Sequence, residues 1–172
     1  MIIIKSDQEI ELMRESGKVT AFILGELENF IRPGMSTADI DNFVEKTIRS
    51  HGMIPTFKGY GGFPASACVS INEEVVHGIP DKKRIIREGD IVSVDVGSTY
   101  KGYVSDAART YPVGKVSDIA MKLINTTRES FFAGLEFCKV GNRLSDISQA
   151  IQVRAESDGF SVIRDFVGHG VG

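Results

Sequence analysis

The chain has 172 residues, 42% hydrophobic and 25% charged, with 20 Lys and Arg against 23 Asp and Glu for a net charge of −3. That is ordinary globular composition, which excludes intrinsic disorder and predicts one compact domain or part of a larger one. The longest apolar runs, Ile2-Ile3-Ile4 and Ala21-Phe22-Ile23-Leu24, are far too short to span a bilayer, no signal-peptide pattern stands at the N-terminus, and no basic block marks a nucleic-acid surface.

Ser6-Asp7-Gln8-Glu9 is a capping-box pattern. Ile10, Met13, Gly17, Ala21, Leu24 and Leu27 follow at helical spacing, which predicts one long amphipathic helix stopped by Pro33-Gly34. A second helix is expected from Ser36 or Thr37 to just before Gly52. Residues 56–64 hold three glycines, a proline and three aromatic rings, a loop with adhesive side chains. Ala67 to Ile71 reads as a strand, Ile91 to Val96 as a stronger one, and Tyr103 to Tyr111 as a third. Ser117 to Cys138 and Leu144 to Asp158 form a second helix pair. The class is α+β, with helices covering one face of an antiparallel sheet. Cys68 and Cys138 cannot make a disulfide framework and fit reduced thiols of a cytoplasmic protein.

Self-similarity at a fixed offset is a fold signature. Gly34-Met35-Ser36-Thr37-Ala38-Asp39-Ile40 resembles Gly141-Asn142-Arg143-Leu144-Ser145-Asp146-Ile147, and Ser50 and Gly52 fall on Ser157 and Gly159 at the same offset. This predicts a pseudo-repeat: a first unit over residues 5–111, and the start of a second over 112–172. A full second unit would continue past Gly172, so the expectation is a double whose second half is truncated.

Asp95 and Asp106 lie on consecutive strands joined by Gly97-Ser98-Thr99-Tyr100-Lys101-Gly102. With the turn centred at Tyr100-Lys101 the two aspartates stand directly opposite each other. Val92, Val94 and Val96 then face the helices, and both carboxylates face the other way. Like charges opposite one another destabilise a sheet unless a cation or a shared proton joins them. Two carboxylates suit divalent ions such as Mn, Fe, Co or Zn, and the alternative is a pair of solvated aspartates at a hairpin end. His169 sits between glycines, and His77 follows a strand end. Either is by itself more often structural than functional, while His51 suits a helix C-terminus.

Four stretches together resemble the type I, bacterial-type methionine aminopeptidases. They are Ser70-Ile71-Asn72-Glu73-Glu74-Val75-Val76-His77-Gly78-Ile79-Pro80, Gly89-Asp90-Ile91-Val92-Ser93-Val94-Asp95-Val96-Gly97, Ser105-Asp106-Ala107-Ala108-Arg109-Thr110 and Gly168-His169-Gly170-Val171-Gly172. The similarity runs over the whole chain. It implies the pita-bread (creatinase/aminopeptidase) fold, two pseudo-symmetric halves over a site for two divalent metal ions (Co, Mn, Fe or Zn). By position, Asp95 would bind one metal, Asp106 would bridge both, and His169 would ligate the second. His77 would hydrogen-bond the substrate near the scissile amide. Phe57, Tyr60, Phe63 and Cys68 would line a methionine pocket, for which soft and aromatic walls are suited.

The implied reaction is removal of the initiator methionine from nascent proteins whose second residue is small. A hydroxide between the metals attacks the scissile carbonyl. The implied partner is the N-terminal Met of a nascent polypeptide. Ribosome contact would fit that role without a marker in the sequence, and neither nucleic-acid specificity nor membrane attachment is expected. The family site also uses two glutamates and a further histidine downstream of position 172. The expectation is therefore one incomplete catalytic domain over residues 1–172, with weak activity or none. Two other readings are a non-catalytic pita-bread module that binds peptides or proteins, and a prolidase-like dipeptidase.

Overall fold

Helix α1 spans Asp7–Phe30. The Ser6 hydroxyl accepts from Glu9 N, and the Glu9 carboxylate accepts from Ser6 N at 2.7 Å, closing the predicted capping box. Its buried face comprises Ser16, Val19, Thr20, Ile23, Leu24 and Leu27. This corrects the stripe expected from apolar spacing, since Ile10 and Ala21 are exposed. Two hydroxyl side chains occupy the core face because bonded partners await them there. Ser16 Oγ lies 2.9 Å from both Ser98 Oγ and Ser105 Oγ, and Thr20 Oγ1 lies 2.7 Å from Ser105 Oγ. A buried hydroxyl is tolerated when so satisfied. Helix α2 spans Thr37–Ser50, is capped by Ser36 with Asp39, and buries Ile40, Val44 and Ile48.

Four antiparallel strands complete this part of the computed structural model, which describes residues 3–171. Ile2 of the N-terminal apolar run and Gly172 of the His169 stretch lie outside the described residues. Strand β3 (Ile91–Tyr100) is the axis of the sheet. It pairs with β4 (Tyr103–Pro112) along one edge, and along the other with β2 (Ala67–Ile71) and the two-residue β1 (Ile54–Pro55). Val92, Val94 and Val96 are fully buried with Val69, Ile23, Leu27, Ile40 and Ile48. Helix α1 packs on β3 and β4, and α2 on β1 and β2. One sheet face is therefore covered by helices, as expected.

The hairpin register differs from the expected one by two residues. Tyr100 pairs with Tyr103, so the turn residues are Lys101 and Gly102, both at positive φ (+49° and +90°). A two-residue turn with positive φ at both positions matches the strand twist, and glycine adopts it without strain. Because the slip is an even number, every side chain keeps its predicted face.

The chain divides into two compact units, the first reaching to Val116 and the second running from Ser117 to His169. The second unit is a helical hairpin of α3 (Asp118–Leu135) and α4 (Leu144–Ser157). The helices approach closely at Gly134, where a side chain would collide with Ile151. Arg154 joins Glu129 and, at 2.8 Å, Asp158 across an open polar cleft of about 340 Å³. Phe131, Phe132 and Leu135 of α3 are exposed. Among the described residues no helix is long and apolar enough to cross a membrane.

Candidate functional site

The site is built on the sheet face turned away from α1 and α2. Asp95 on β3 is opposite Cys68 of β2 on one side and Ala108 of β4 on the other. Asp106 on β4 is opposite Gly97. The two aspartates are thus diagonal neighbours on one face, not the directly opposed pair expected from a turn at Tyr100-Lys101. Diagonal positions stand about 7 Å apart at the backbone. That span lets two carboxylate arms close on a common point without forcing their charges together. Both residues are half-buried.

Cys68 reports the field these groups create. Its thiol is pushed up to about 12, first by burial and then by the Asp95, Asp106 and Asp41 carboxylates. Asp95 and Asp106 are two of the three carboxylates that act on this buried sulfur, so both lie near Cys68 on this face. Carboxylate oxygens at such a point are hard donors of the kind a divalent first-row ion takes. The donor set on β3 and β4 therefore fits a dication. Among the described residues, no group of three or more His, Cys, Asp or Glu side chains forms a metal cluster.

Phe57 is brought to the same face by β1. Pro55 pairs with Ser98, and Thr56 N donates to Gly97 O at 3.0 Å, which carries the next residue over Gly97. A Cβ on Gly97 would sit 2.5 Å from the Phe57 ring, so only glycine admits the ring here. Phe63 and Tyr60 close the following turn, with Phe63 N donating to Tyr60 O at 2.9 Å. Phe63 is half-buried, whereas Tyr60 is 80% exposed and its ring stands in solvent. The structure thus gathers Asp95, Asp106, Cys68 and Phe57 on one face. His77 is on the exposed loop after β2 and has φ +61°, a left-handed conformation uncommon for a residue with a side chain. His169 is in the second unit, exposed, in the irregular segment after α4.

Two residues escaped the sequence reading. Asp41 of α2 accepts from Ser66 N at 2.7 Å and Ala67 N at 2.9 Å, which ties the helix to the start of β2. Burial holds its carboxyl above the ordinary range. Ser70 of β2 is buried, and its Oγ accepts from Gly78 N at 3.1 Å. An aspartate inside a helix and a serine inside a strand give no warning of either contact.

The model of metallopeptidase family M24 matches residues 11–172. The fold and this match accordingly define a metallopeptidase of pita-bread architecture. A methionine aminopeptidase of Clostridium acetobutylicum is 56% identical over 172 residues, covering all of this chain and 69% of the relative. The crystal structure of methionine aminopeptidase from Thermotoga maritima superposes with a TM-score of 0.98 at 48% identity, over 100% of this chain and 69% of that one. An Xaa-Pro dipeptidase from Bacillus anthracis is more distant, at 27% identity and a TM-score of 0.79, over 98% of this chain and 46% of that one. The chain belongs to metallopeptidase family M24 and, within it, to the methionine aminopeptidases, a class of metallo-exopeptidases.

Proposed function

We propose that this chain carries the metal-binding and substrate-binding elements of an enzyme that removes N-terminal methionine from nascent cytoplasmic proteins with a small second residue. The reading rests on one observation above the others: Asp95 and Asp106 share a sheet face with Phe57 and Cys68. Asp95 and Asp106 would hold two divalent ions, and His169 would be a further ligand. Such ions, when bound, supply a water of lowered pKa and polarise a carbonyl. Phe57 and the protonated Cys68 thiol provide an apolar, polarisable wall for a thioether, continued by Phe63 and Tyr60. His77, on the loop after β2, would hydrogen-bond the substrate beside the scissile amide. The ion is one of Mn, Fe, Co or Zn, all compatible with carboxylate and imidazole. Contact with the ribosome belongs to the same reading.

The much higher similarity to methionine aminopeptidases than to the Xaa-Pro dipeptidase favours this substrate over a prolidase-like one. The retained aspartate pair disfavours a purely binding role. These 172 residues by themselves are expected to turn over slowly or not at all, since three ligands leave a two-metal site short of donors. The test is release of methionine from Met-Ala-Ser, measured in parallel with cleavage of an Xaa-Pro dipeptide, at saturating Mn²⁺. Slow methionine release abolished by Asp106→Asn is the expected result. Cleavage of the Xaa-Pro substrate alone would replace the reading with the prolidase one.

A further inference from the structure

Between β2 and Asp81, the segment that carries His77 is held at both ends. Asn72 N donates to Ile91 O at 3.0 Å, and Ile71 N donates to the Glu74 carboxylate at 3.0 Å, which also pairs with Arg84 at 2.5 Å. At the far end Asp81 N donates to Thr37 Oγ1 at 2.9 Å. Between these anchors Gly78 meets the outer edge of β2. Val69 N donates to Gly78 O at 2.8 Å, and Gly78 N donates to Ser70 Oγ at 3.1 Å. Ser70 is 3% exposed, and Gly78 is buried. The approach is so close that a Cβ on Gly78 would lie 2.2 Å from Val69 O. Immediately before this contact His77 stands at φ +61°.

A left-handed non-glycine residue persists only where its surroundings over-determine it. Here the next residue contributes to it: Gly78 is fixed on both its N–H and its C=O, which restrains the turn through His77. Ser70 alternates with Cys68 along β2, and it pairs with Ser93 as Cys68 pairs with Asp95. Its side chain therefore rises from the carboxylate face itself. The hydroxyl that fixes the loop is thus built into the same strand as the wall of the site.

We propose that Ser70, acting through Gly78, is a positioning residue that sets the His77 imidazole relative to the Asp95–Asp106 face. How His77 is held rests on the geometry above; what His77 does once held rests on the proposed function. Removing the Ser70 hydroxyl leaves a buried Gly78 N–H without an acceptor and loosens the His77 turn on that side. Neither Ser70 nor Gly78 belongs to the apolar core, so core and sheet are expected to survive the loss of that bond.

The experiment compares Ser70→Ala, Ser70→Thr and wild type on the full chain. Amide hydrogen exchange and the His77 ring resonances are followed by NMR, and Met-Ala-Ser hydrolysis is followed with Mn²⁺. In Ser70→Ala the Gly78 amide is expected to exchange about tenfold faster. The Val94 amide stays unchanged and the His77 ring signal shifts. The kcat should fall about tenfold with KM within about twofold, and Ser70→Thr should restore all of these. Gly78→Ala, which keeps the hydroxyl but drives a methyl into Val69 O, should reproduce the His77 shift if Ser70→Ala folds poorly. An unchanged Gly78 exchange rate and His77 signal in Ser70→Ala would overturn the proposal, as would a wild-type kcat in that variant. If wild type releases no methionine, which a site short of donors also predicts, the kcat comparison gives no readout. The exchange and ring signals then still decide whether Ser70 positions His77.

Discussion

Gly97 shows how much one residue decides. It faces Asp106 across the hairpin, neighbours Asp95 on the same face, and yields its side-chain volume to the Phe57 ring. Gly97→Ala is expected to destabilise the chain by about 1–3 kcal/mol, the usual range for overpacking a filled contact. Its urea midpoint should fall accordingly. Gly17→Ala is the control: its new methyl meets nothing within 4 Å, and alanine is the better helix former. That variant should keep or raise the midpoint. Equal losses in both variants would mean that the Phe57 contact carries no special weight. Residue identity gave no hint of this contact, because a glycine at the end of a valine-rich strand reads as the start of a turn.

Among the elements, the start of α1 offers the clearest pH dependence. The Ser6 N–H is the main cause, with the Tyr103 and Ser6 hydroxyls behind it, that holds the Glu9 carboxyl down at about 2 from an ordinary 4.5. Tyr103 Oη donates to Glu9 at 2.8 Å, so this cap also ties α1 to the first residue of β4. A depressed folded-state value means stability that is present above the unfolded value and lost as pH falls through the folded one. The difference in melting temperature between wild type and Glu9→Gln should therefore be constant near neutrality. It should shrink between about 4.5 and about 2. A difference that grows on acidification would contradict the assignment. The capping box itself was legible in the sequence, because its residue types and spacing are local. The hydroxyl lining of α1 was not, because Ser16 and Thr20 are polar until Ser98 and Ser105 meet them from far along the chain. The hairpin slipped by two residues for a related reason: the turn position depends on which residues take positive φ, and Gly102 outweighs Gly97 there. The even slip preserved the face of both aspartates.

Across the molecule, the two helix pairs share local features. Helices α2 and α4 each have 14 residues, and each follows a glycine at positive φ, Gly34 and Gly141. In each, an aspartate three residues past the cap receives the cap's backbone N–H: Asp39 from Ser36 at 2.8 Å and Asp146 from Arg143 at 2.7 Å. The first pair lies on a four-stranded sheet and buries its apolar face there, while α3 keeps Phe131 and Phe132 exposed. The four helices, strands β2, β3 and β4 and the face of the aspartates could be read from periodicity and turn residues, whereas the two-residue β1 could not. The left-handed turn at His77 and its tie to Ser70 could not, since neither follows from any local pattern. The central claim is electrostatic, that the Asp95–Asp106 face exists to hold divalent cations, and calorimetric titration of the full chain with Mn²⁺ tests it most directly. The account predicts a saturable binding isotherm for wild type that is lost in both Asp95→Asn and Asp106→Asn, with each variant still folded. A wild-type chain that takes up no Mn²⁺, or variants that bind it unchanged, would contradict it.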